Sequence, residues 1–108
     1  MAQAENHLRL DVEESRPATD MQALARGAGL SYESFRKRFR DEIGVPPGRY
    51  ALDLRIQQAR SLLINPRRTV KEIAQAVGFD DPYYFSRIFR KKVGLSPEHY
   101  RRRYYPSR

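Results

Sequence analysis

Residues 21–50, MQALARGAGLSYESFRKRFRDEIGVPPGRY, are written a second time at residues 70–100, VKEIAQAVGFDDPYYFSRIFRKKVGLSPEHY, with one extra residue in the second copy. Leu24 matches Ile73, Ala25 matches Ala74, Gly29 matches Gly78 and Leu30 matches Phe79. Beyond the gap, Phe35 matches Phe85, Phe39 matches Phe89, Gly44 matches Gly94, Pro47 matches Pro97 and Tyr50 matches Tyr100. Nine matches in one order mark an internal repeat of a single supersecondary unit. A chain of 108 residues fits one compact unit or two very small ones sharing a linker, with only a modest core, and leaves little room for a large enzyme with a deep cleft.

Each copy reads as helix, tight turn, helix. The first opens with a capping candidate at Thr19 or Asp20, and the second with Thr69 and Glu72 at capping-box spacing. Both first helices run into a glycine, Gly29 or Gly78, where a helix ends in a left-handed residue that glycine adopts cheaply. The next helix starts after Ser31 in one copy; in the other, Asp81 caps it and Pro82 takes the first position. Two helices joined by a short Gly-containing turn form a helix-turn-helix. Between the copies, PPGRYALDLRIQQARSLLIN places Leu52, Ile56, Ala59 and Leu63 on one stripe of a helix that Asn65 and Pro66 end. At about 16 residues it spans roughly 24 Å and serves as a strut. Leu8 and Val12 hint at a short first helix, and no strand-like alternation competes, so the predicted fold is all-α. The predicted division is an N-terminal segment over residues 1–16, a first unit over 17–45, a linker over 46–65, a second unit over 66–101 and a basic tail over 102–108.

The second helix of each copy has two faces. Phe35 and Phe39 hold the core side in one copy, and Phe85, Ile88 and Phe89 in the other; helical spacing makes these phenylalanines core rather than a base-stacking set. The opposite side carries Glu33, Arg36, Lys37 and Arg40 in the first copy, and Tyr83, Ser86, Arg87, Arg90 and Lys91 in the second. Of the adjacent Tyr83 and Tyr84, Tyr83 is read as the outward one. The net charge of the chain is +8, but residues 21–108 alone carry +11, so the basic part is the repeated part. Such a surplus calls for a polyanionic partner, duplex DNA first. The major groove, about 12 Å wide, admits one α-helix whose N-terminal residues reach base edges while later ones face phosphates. Glu33, Arg36, Lys37, Tyr83, Ser86 and Arg87 are therefore the base-contact candidates, and Arg40, Arg90 and Lys91 the phosphate-contact candidates. Two modules on one strut would enter groove segments one turn apart, roughly 34 Å, without a second chain.

These residues resemble the DNA-binding domain of AraC/XylS-type bacterial transcription regulators: LARGAGLSYESFRKRF, LRIQQARSLL and above all VKEIAQAVGFDDPYYFSRIFRKKVGLSPEHYR are similar to that family's pattern across residues 20–101. The resemblance implies seven helices, two helix-turn-helix units on a long linker helix, and recognition helices near residues 32–40 and 82–92. It implies double-stranded DNA as partner, with RNA polymerase beside it, a bacterial cytoplasmic location, and a sensor domain elsewhere in a longer protein. This chain, lacking that domain, is expected to be a monomer, with any dimerisation residing in the sensor. Pro46 departs from the family, which places Ser there, so the linker helix is expected to lack its usual cap. Residues 8–16 match the family's first helix poorly.

Other function classes find little support. With no cysteine there is no thiol nucleophile, thiolate metal site or disulfide. His7 and His99 stand far apart without companion ligands, no Gly-rich phosphate loop or nucleophile with a base is present, and neither metal, cofactor nor enzymatic activity is expected. No apolar run reaches the roughly 20 residues that span a bilayer, and the N-terminus lacks a signal peptide's apolar core. A membrane-surface helix would need its bulky apolar residues outside, whereas here two small cores use them. The RRRYYPSR tail from Arg101 reads as a frayed end, with phosphate tracking as the alternative.

Overall fold

A computed structural model describes residues 1–13 and 20–105. Seven helices occur among the described residues: α1 (Ala2–Glu13), α2 (Met21–Gly27), α3 (Tyr32–Ile43), α4 (Pro47–Leu63), α5 (Val70–Ala76), α6 (Pro82–Val93) and α7 (Pro97–Tyr104). No strand occurs among these residues. The chain divides into two compact units, Met1–Leu54 and Arg55–Arg108. The boundary falls inside α4, so the helix read from the sequence as a linker supplies residues to both cores.

In the first unit Ala4 and Leu8 of α1, Ala25 of α2, Phe35 and Phe39 of α3 and Ala51 of α4 form one buried cluster. α1 begins earlier than the sequence suggested, because Ala4 joins Leu8 one turn later on the buried face. Tyr50 Oη donates to Glu5 Oε2 at 3.3 Å, tying α4 to α1; burial first, then the Glu5 carboxylate, raises its phenol pKa. Asp20 caps α2, accepting from Gln22 N at 2.9 Å. The alternative cap, Thr19, lies outside the described residues. Pro46 precedes α4; its carbonyl accepts from Tyr50 N at 2.9 Å, but its side chain has no acceptor to offer. Ser96, the matching residue before α7, caps with its hydroxyl, accepting from His99 N at 3.2 Å.

The second unit repeats this plan with more polar fastening. Ile56, Ala59 and Leu63 of α4 are buried, as are Ile73 and Ala74 of α5 and Phe85 and Phe89 of α6. Leu52, on the expected stripe, is only half-buried, and Ala51 takes the core place in the first unit. Arg55 is 6% exposed, and its Nη1 donates to the carbonyl of Val77, the C-cap of α5, at 2.9 Å. The neighbouring Gly78 has φ +93°, and a Cβ there would lie 2.4 Å from Arg55 Nη1. Its counterpart Gly29, at φ +73°, has open space where a Cβ would stand. Arg101 is bonded to three carbonyls at and beyond the end of α4: Nε donates to Leu63 O at 2.9 Å, and Nη2 to Asn65 O at 3.2 Å and Arg68 O at 2.5 Å. Arg101 is thus anchored, and Arg102 to Tyr104 continue α7 rather than opening a tail. Residues 106–108 lie outside the described part.

Thr69 and Glu72 complete the capping box read from the sequence: Thr69 N donates to Glu72 Oε1 at 2.9 Å, and Glu72 N to Thr69 Oγ1 at 3.1 Å. The backbone bond from Thr69, followed by its side-chain bond, holds the Glu72 carboxyl below its usual pKa. A carboxyl whose pKa falls on folding adds stability above its unfolded pKa, near 4.3, and loses it as pH drops through the folded value. Glu72→Gln should therefore melt below the parent at pH 7, and the gap should close on acidification towards pH 3. Thermal melts across that range would check this, and a gap independent of pH would contradict it.

Candidate nucleic-acid interface

Both second helices rest on the same aromatic ladder. In the first unit the Phe35 and Phe39 rings lie 6.0 Å apart, and Phe39 meets Tyr50 edge-on at 5.5 Å and 69°. In the second, Phe85 and Phe89 lie 5.8 Å apart, and Phe89 meets Tyr100 at 5.5 Å and 78°. Edge-to-face rings at these distances fix the roll of a helix about its axis, so the opposite face is also fixed. Caps fix where each helix begins. Ser31 Oγ accepts from Ser34 N at 3.2 Å, and Asp81 Oδ1 accepts from Tyr83 N at 2.9 Å, with Pro82 at the helix start.

On α3, Glu33, Arg36, Lys37 and Arg40 are exposed and line one shallow depression together with Ser34. Arg40 Nη2 lies 3.6 Å from Asp41 Oδ1, so this phosphate candidate has a competing carboxylate beside it. On α6, Tyr83, Arg87, Arg90 and Lys91 are exposed, whereas Ser86 is half-buried at the margin of that face. Tyr83 is 81% exposed and Tyr84 only 44%, which agrees with taking Tyr83 as the outward ring. The last turn of α6 gathers Arg90, Lys91 and Lys92, which also suits the negative end of the helix dipole. The helices run slightly beyond the expected recognition segments, to Ile43 and Val93. Between α5 and α6 lie five residues against four between α2 and α3, which accounts for the single gap between the copies.

Two residues carry no signal in the local sequence pattern. Arg38, a further exposed cation on α3, was passed over because it lies between the two faces. Arg55 bonds to a carbonyl 22 positions later, which no local pattern reveals. Among the described residues no group of His, Cys, Asp or Glu could hold a metal ion, and no helix is long and apolar enough to cross a membrane.

A helix-turn-helix domain family matches residues 24–103, which takes in both turns and both cationic helices. The chain belongs to the AraC-type helix-turn-helix DNA-binding domain family. It is a DNA-binding domain of the AraC family of transcriptional regulators and not an enzyme. The MmsAB operon regulatory protein of Pseudomonas aeruginosa is 42% identical over 84 residues, 78% of this chain and 27% of that protein. The arabinose operon regulatory protein of Escherichia coli is 37% identical over 82 residues, 76% of this chain and 28% of that protein. The chain therefore spans less than a third of these relatives. Among solved structures, the C-terminal domain of AraT, a response regulator from Geobacillus stearothermophilus, superposes with a TM-score of 0.85 at 26% identity, covering 94% of this chain and 83% of that one. The DNA-binding domain of AdpA, a global transcriptional factor solved in complex with a target DNA, has a TM-score of 0.77 at 33% identity, covering 95% and 86%.

Proposed function

We propose that this AraC-type domain reads a specific duplex site with both α3 and α6, each entering a major-groove segment, the two segments lying about one helical turn apart. The observation that carries the reading is the doubled face: the same aromatic ladder underlies two helices that each expose a row of cations. Arg36, Lys37 and Arg87 suit the O6 and N7 of guanine, Glu33 the N4 of cytosine, and Tyr83 the methyl of thymine, with Ser86 at the edge of the readable face. Arg40, Arg90 and Lys91 act as phosphate clamps. That AdpA's domain was solved in complex with a target DNA supports DNA as the partner. The regulator it serves is bacterial and works on the chromosome, with RNA polymerase as the protein partner. Effector sensing and dimerisation are not functions of this domain, and this chain alone is a monomer.

The test separates readers from clamps. Arg87→Ala, Lys37→Ala and Arg36→Ala should each cost about 1–3 kcal/mol on the best site and relax preference at particular base pairs. Lys91→Ala should weaken all sequences alike and reduce the salt slope by about one. Titration of selected and scrambled duplexes checks both. A uniform loss for Arg87→Ala would move that residue from the readers to the clamps.

A further inference from the structure

Arg87 does not project from α6 alone. Its guanidinium carbon lies 5.9 Å from the centroid of the Tyr84 ring, three residues earlier and so on the adjoining side of the helix. Tyr84 in turn lies 6.0 Å from Phe79, a buried ring of the turn between α5 and α6. Phe79 packs on Phe85 of the core at 5.2 Å. An unbroken run of rings thus connects the core of the second unit to the exposed arginine.

The matching positions of the first unit hold no such run. Ser34 stands at the position of Tyr84, and its hydroxyl is turned to Ser31 Oγ at 3.0 Å. Lys37 stands at the position of Arg87, and Leu30 at that of Phe79. Arginine differs from lysine in the way that matters here: its planar fork lies over an aromatic face and still presents parallel N–H donors. An arginine so held loses less side-chain freedom when it pairs with a base.

We propose that Tyr84 is a positioning residue that sets base specificity at the second reader, by holding the Arg87 guanidinium in the orientation in which it pairs with guanine. The proposal rests on Arg87 being a base reader, as argued above. Tyr84 makes no base contact of its own in this account; it acts only through Arg87.

The experiment is a double-mutant cycle on duplexes that vary one base pair at a time. Arg87→Ala first identifies the pair that Arg87 reads, as the position whose preference relaxes. Tyr84→Leu, which keeps apolar contact with Phe79, should lower preference at that pair by about 2- to 5-fold, the scale of an exposed cation–π contact. It should leave preference at pairs read by α3, and the salt slope, unchanged. Tyr84→Phe keeps the ring and should behave as the parent. In the Arg87→Ala background, Tyr84→Leu should have no further effect on preference. If Tyr84→Leu still relaxes preference in that background, the ring touches DNA itself and the proposal is overturned. An equal loss on every sequence overturns it too, since that is what damage to the fold would do. If Arg87→Ala relaxes no pair, the underlying reading of Arg87 fails and the proposal with it, and that outcome is told apart by the Arg87 variant alone.

Discussion

Raising salt from 50 to 200 mM should weaken specific binding of this domain to duplex DNA by about 10³- to 10⁵-fold, if it neutralises on the order of 6–10 phosphates. The charge is there to do so: residues 21–108 carry +11. Each neutralised phosphate releases condensed counterions, giving a slope of log K against log salt of about −0.9 per contact, hence roughly −5 to −9 in all. The three clamps named on α3 and α6 would alone give only about −3. The remainder must come from other exposed cations such as Arg38, Arg49, Arg67, Arg68 and Lys71. A slope near −3 would therefore confine phosphate contact to the clamps, and one near zero would sink the DNA-binding reading. Fluorescence titrations at several salt concentrations decide the matter.

Much of this was legible in the sequence because the signals are local. Capping residues, glycine at the turn and phenylalanines one helical turn apart act over three to five residues, and both copies carry them, so each copy checks the other. The faces of α3 and α6 followed from the same spacing. The roles of Arg55 and Arg101 are set by residues distant in the chain. Arg55 lies 22 positions before the carbonyl it holds, and on a helical wheel a buried arginine looks like any exposed one. Arg101 looked like the start of a charged tail, yet its carbonyl partners lie more than thirty positions earlier. The stripe on α4 was misjudged at Leu52 because one helix serves two cores, so the buried side at its start need not continue the buried side at its end. Helical spacing marks Tyr83 as the outward ring of the pair and leaves Tyr84 as a partly buried support, but it does not show that Tyr84 lies between Phe79 and Arg87.

Gly78→Ala should be among the most damaging single changes in the second unit, costing about 2.5–5 kcal/mol of stability, whereas Gly29→Ala at the matching turn should cost about 1–2 kcal/mol. Both glycines have positive φ, +73° at Gly29 and +93° at Gly78, so any side chain pays the left-handed penalty at either place. Only at Gly78 does something stand where the Cβ would go: Arg55 Nη1, at 2.4 Å. An arginine tip in water would swing aside at little cost. This one is buried and donates to the Val77 carbonyl, so moving it forfeits a charge-assisted hydrogen bond of about 1.5–3 kcal/mol. That bond holds the last residue before the turn, and through it the entry to α6, so the same change should also weaken DNA binding through the second reader. Urea unfolding of both alanine variants measures the difference, and Arg55→Met supplies the control. With the guanidinium gone, Gly78→Ala should cost only the backbone term, about 1–2 kcal/mol, and the two turns should become alike. If Gly78→Ala costs the same with Arg55 and without it, then the glycine is not there to make room for the guanidinium, and the asymmetry between the two turns has another cause.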